Sequence, residues 1–194
     1  MTAADEVRLG ARFLAEQPTH EDRPAEQVRD WSAAACAVGA ELALRYQGST
    51  VDGVVARLGL RVAATTGGVR DAALTLARYG TRPPTVTVFT DAVAKAEAAI
   101  EAYPWYRPDL VRDTAVAHEI AHHLLHTADR AVLKRRLDHV VLRVGRIALR
   151  GHVLGADEVA AHAFARRLCG LPVSPLLISA ALSGRAPVAA GRED

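Results

Sequence analysis

Lysine is nearly absent from this chain: of its 24 Lys and Arg residues, only Lys95 and Lys134 are lysine. The basic residues are offset by 22 acidic ones, leaving a net charge of +2. With a high alanine content beside it, the arginine excess reads as the codon usage of a GC-rich genome and not as a nucleic-acid footprint. Cysteine is scarce too. Cys36 and Cys169 lie far apart with no CxxC spacing, which argues against a disulfide framework and a thiolate metal site and fits buried free thiols in a reducing compartment. No long apolar run is present. The most apolar window, WSAAACAVGAELALRY, is short and carries Glu41, so no membrane span is expected. The opening MTAADEVRLGARF mixes acid and base without an unbroken apolar core, unlike a secretory leader. A cytoplasmic location is the expectation.

What is present suits one domain with a sizeable core: 194 residues, half of them apolar. Residues 3–16 and 25–47 read as helices, and 51–58 as a short helix capped by Ser49 or Thr50 and stopped at Gly59. Residues 60–64 read as a first strand. AALTLARYG (72–80) and TVTVFTD (85–91) alternate apolar and polar residues across TRPP, the pattern of a small antiparallel or mixed sheet. A helix from Asp91 ends at YPWYRP, where two prolines forbid continuation. From there the pattern is helical over 109–127, 130–150, 155–169 and 174–183. The fold expected is α+β and mostly helical. Residues 1–48 form helices packing on the core, 49–183 the main unit, and 184–194 a polar tail.

The segment 130–150 is locally basic, with seven Arg or Lys against one Asp. It reads better as an amphipathic helix than as a phosphate-binding one, with Val132, Leu133, Leu137, Val140, Val141, Val144, Ile147 and Ala148 inward. Nothing in it matches a DNA-reading motif.

The chemistry concentrates in DTAVAHEIAHHLLHTADR (113–130), which holds four of the eight histidines. HEIAH places His118 and His122 at i and i+4 on one helix face, so both imidazoles can reach one ion. Glu119 lies around the helix from that ligation geometry and suits a general base acting on water at the metal. Val116, Ala117, Ile120, Ala121, Leu124 and Leu125 make the segment apolar on most sides, where unpartnered histidines would be costly. His123 is turned about 100° from His122, and His126 is too distant to share an ion with His118. Both are expected to be solvated or hydrogen-bonded, with substrate contact open to them.

A catalytic zinc site takes three protein ligands and an open position. The chain lacks the continuation HExxHxxGxxH, so the third ligand is sought in a later helix. ADEVAAHAFARRL (156–168) offers Glu158 and His162, four apart on one face, with Asp157 pointing elsewhere. Glu158 is the expected ligand and His162 the residue behind it, orienting a zinc histidine; the reverse assignment stays open. His139 and His152 are weaker candidates. Tyr103, Tyr106, His126 and His162 are all chemically able to stabilise an oxyanion. The aromatics of 103–106 are as well suited to packing a loop.

HEIAHHLLH followed by ADEVAAHAFARRLCGLPVSPLL resembles the ImmA/IrrE family of bacterial metallopeptidases, whose downstream helix has the form E-x-E-A-N-x-F-A. VDGVVARLGLRV is similar to the short helix and first strand that precede that family's sheet. The resemblance spans roughly residues 25–183 and is strong at 113–126 and 156–178. It implies a zincin-type α+β domain with zinc on His118, His122 and Glu158 and with Glu119 as base. It also implies a peptide bond in one cytoplasmic protein, such as a transcriptional repressor, as substrate. The chain departs from the motif at Ala160, in place of the second Glu, and at His162, in place of Asn.

Two other functions are compatible with these residues. One is a zinc enzyme acting on a small molecule or modified amino acid. The other is a non-catalytic regulator binding a protein or DNA, against which the intact Glu119 counts. For a peptidase, an edge strand at 85–89 is expected to align an extended peptide.

Overall fold

Thr2 starts the first helix. Its hydroxyl accepts the Asp5 N–H at 3.2 Å while the Asp5 carboxylate accepts the Thr2 N–H at 2.9 Å, a capping box opening α1 (Ala3–Ala15). The computed structural model describes residues 2–182 apart from 71, 72 and 146. The tail expected at 184–194 lies outside them.

After Pro24 comes α2 (Ala25–Leu44), then α3 (Val51–Arg57), capped by Thr50 and closed at Gly59, whose φ is 64°. The strands β1 (Arg61–Thr65), β2 (Val69–Arg70), β3 (Ala73–Leu74), β4 (Ala77–Thr81) and β5 (Pro84–Phe89) follow, then α4 (Thr90–Ile100). The second half holds α5 (Leu110–His126), α6 (Arg130–Leu137), β6 (Val140–Val144), β7 (Ile147–Arg150), α7 (Ala156–Cys169) and α8 (Pro175–Leu182). Among the described residues the architecture is α+β: eight helices, a three-stranded mixed sheet and two two-stranded pairs. No described helix is long and apolar enough to cross a membrane.

The core lies where α2, α5 and α7 pack together. Ile120, Phe164 and Val38 are fully or almost fully buried, each such side chain contributing about 1.5–3 kcal/mol before entropy is set against it. Small residues bring the helices close. A Cβ on Gly39 would lie 2.0 Å from the carbonyl oxygen of Ala160, so α2 and α7 approach backbone to backbone. Arg45, just past α2, forks onto Asp129 at 3.2 and 2.5 Å and ties that helix to the turn after α5. The Cys36 and Cys169 thiols are free, and burial pushes both up to about 12, so both stay protonated.

Two expectations are corrected. The sheet order is β1-β5-β4, with β1 parallel and β4 antiparallel to β5. The strand at 85–89 is therefore central, and the edge beside the histidine helix is β4. The basic segment 130–150 is not one helix. Asp138 at φ 43° ends α6, and Gly145 at φ 58° turns β6 back onto β7 in an antiparallel pair. The α6 side chains Val132, Leu133 and Leu137 do pack on the core, whereas Val141 is 54% exposed. The pattern VVLRV-GR-IALR fits period 2 as well as period 3.6, and a glycine able to take positive φ decides for the hairpin.

Candidate metal centre

The helix α5 sets His118 and His122 one turn apart, with their Nε2 atoms 3.0 Å from each other. From the first turn of α7, Glu158 presents Oε2 at 3.2 Å from His118 Nε2 and Oε1 at 3.2 Å from His122 Nε2. Donors bonded to a tetrahedral zinc at about 2.0–2.1 Å lie roughly 3.3 Å apart. The separation of the two histidine nitrogens, and of each nitrogen from one of the two Glu158 oxygens, is close to that spacing. The histidine side chains are 16% and 13% exposed and the Glu158 side chain 40%, so the site opens on the carboxylate side.

Electrostatics agree with the donor set. Burial works against the charge on Glu158, yet the hydrogen bonds from His118 and His122 outweigh it and hold the carboxyl well below its usual range. Burial likewise opposes a charge on His122, and Glu158 overrides it, raising that imidazole above its ordinary value. Two nitrogens and a carboxylate thus converge on a point that calls for positive charge, which a divalent cation can supply.

Glu119 stands beside these three residues. Its Oε2 accepts the Tyr79 backbone N–H at 2.8 Å, and the Tyr79 hydroxyl pairs with His123 Nδ1 at 2.8 Å. His118, Glu119, Glu158 and His162 line one end of a cavity of about 310 Å³. Its remaining walls are mostly apolar and include Leu76 and Ala77 around β4, Ile100 of α4, Leu110 of α5 and Ile178 of α8, with Thr75 and Thr114 among them.

His162 packs on His118 with ring centroids 4.6 Å apart, and its Nδ1 is buried with no hydrogen-bond partner. Burial, and then the neighbouring His118, push His162 well below the ordinary histidine value. It is a neutral ring against the site. His126 is exposed and stacks over His122 at 5.9 Å. Tyr103 and Tyr106 do not line the cavity: Tyr103 stacks on Trp105 at 5.2 Å, and Tyr106 packs against the core. His139 stands against Trp31 at 5.0 Å, and His152 is exposed.

Two residues in or beside the site, Tyr79 and Asp157, were not expected there from the sequence. Tyr79 was an anonymous strand residue, because nothing local says that β4 docks on α5. His123 is half-buried and hydrogen-bonded through that docking, one of the two states expected of it. Asp157 does not point away from the histidines: its carboxylate falls within 4.8 Å of donor atoms of His122 and His126. No family model, curated protein or solved structure matches the chain.

Proposed function

We propose that this protein is a zinc-dependent metallopeptidase that hydrolyses a peptide bond in a specific cytoplasmic protein, such as a transcriptional repressor. The observation that carries the reading is the meeting of His118, His122 and Glu158 at 3.0–3.2 Å beside Glu119, at the mouth of a cavity. The resemblance of HEIAHHLLH and ADEVAAHAFARRL to the ImmA/IrrE metallopeptidases supports the same conclusion. Where that motif has its second Glu, Ala160 is fully buried with its carbonyl against Gly39. The residue there serves helix packing in this chain.

His118, His122 and Glu158 would hold the zinc, which when bound polarises the scissile carbonyl and makes water a better nucleophile. Glu119 takes a proton from the attacking water and returns it to the leaving amine. The Tyr79 N–H fixes Glu119 Oε2 and leaves Oε1 for that transfer. The outer edge of β4 aligns an extended peptide by strand addition. The mostly apolar part of the cavity beyond His118, Glu119 and Glu158 receives an uncharged side chain next to the scissile bond, since burying a charge among Leu76, Ile100, Leu110 and Ile178 is costly.

The test is the Glu119→Gln variant against wild type on a peptide library, with new termini read by mass spectrometry. Wild type should cut, and the variant should keep its metal and lose turnover by at least about a hundredfold. Equal cleavage by the two proteins would overturn the reading.

A further inference from the structure

The helix α5 carries a third histidine in the same series: His118, His122 and His126 follow at i, i+4 and i+8. Facing them, α7 presents two adjacent carboxylates, Asp157 and Glu158. We propose that His122, His126 and Asp157 form a second divalent transition-metal site that overlaps the first by sharing His122.

One ligand atom from each of these three residues lies within 4.8 Å of the other two. The His122 and His126 rings are almost parallel, at 10°, with centroids 5.9 Å apart, so the imidazoles stand side by side. Two histidines and one carboxylate are the donor set that first-row divalent ions take readily. The second set is looser than the first, and His126 is exposed, so its side chain is free to swing inward for ligation. An ion has its own way in. His126 and Asp157 line a separate cleft of about 480 Å³, together with His152 and Lys134. The Lys134 ammonium in that wall works against a cation. The second site is therefore the weaker one. Because both sets draw on His122, an ion in the second acts directly on a ligand of the first.

The test uses Zn²⁺ alone as probe, with binding to the full chain measured by calorimetry and folding checked by circular dichroism. Glu158→Ala disables the first set and spares the second. That variant should still take up one Zn²⁺, more weakly than wild type. Adding His126→Ala, or the near-isosteric Asp157→Asn, should lower its affinity further. Loss of a direct ligand should exceed the roughly ten- to hundredfold that losing an outer partner costs. If Glu158→Ala and both double variants bind Zn²⁺ equally, His118 and His122 alone hold the ion and the second site does not exist. Absence of any Zn²⁺ uptake by folded Glu158→Ala also overturns it. The comparison of wild type with Glu158→Ala reports on the first site separately.

Discussion

The backbone N–H of Tyr79 lies 2.8 Å from Glu119 Oε2, and the hydroxyl of the same tyrosine lies 2.8 Å from His123 Nδ1. One residue of an edge strand thus grips the histidine-bearing helix twice, once at the proposed base. Its N–H is spent on Glu119 and not on the β4–β5 ladder, so a proline here removes the contact without removing a sheet bond.

Comparing Tyr79→Pro with Tyr79→Ala isolates that N–H, since both lose the phenol. We expect kcat to fall about tenfold to a hundredfold further in the proline variant, the scale of a misplaced catalytic group, with bound zinc unchanged. Equal kcat values in the two variants would show that Glu119 does not depend on this donor.

Gly39 sets a second prediction. An alanine in the interior of a helix ordinarily gains about 1 kcal/mol over glycine. At Gly39 the added Cβ would sit 2.0 Å from the Ala160 carbonyl oxygen, backbone against backbone. Relief requires α2 and α7 to part, at a cost of about 1–3 kcal/mol or more. Gly39→Ala should therefore lower the urea midpoint, and a raised midpoint would contradict the close packing described.

Asp91 holds the loop after β1. Its carboxylate accepts the N–H groups of Gly67, Gly68 and Val69 at 3.0, 3.1 and 3.3 Å. Local desolvation works against its charge, but these backbone donors prevail and lower its pKa below the ordinary 3.8. A lowered folded value means that the stabilisation is fully present above the unfolded value and disappears as pH falls through the folded one. Wild type should exceed Asp91→Asn in stability by a constant margin from about pH 5 to 8, with the margin closing below about pH 4. Denaturant titrations across that range check this; a margin undiminished at the acid end would be against it.

The candidate metal face was legible because its logic is local. His118 and His122 need only a helix to share a side, and Glu158 and His162 stand four apart on another. The tertiary arrangement was not legible in the same way. Val140, Val141, Val144, Ile147 and Ala148 satisfy a helical spacing and a strand spacing equally, and only Gly145 at positive φ separates them. The place of β5 in the middle of its sheet depends on a parallel pairing with β1 across more than twenty residues, which alternation within either strand does not encode. Tyr79 and Asp157 enter the account through helix and strand docking, where long-range packing decides which side chains meet.

The central claim is that His118, His122 and Glu158 hold one zinc ion. Elemental analysis of the dialysed protein, wild type beside Glu158→Ala, tests it most directly. The account predicts one tightly held zinc per wild-type chain and a content well below that in the folded variant. A folded wild type that emerges without metal, or a variant that retains as much as wild type, would contradict it.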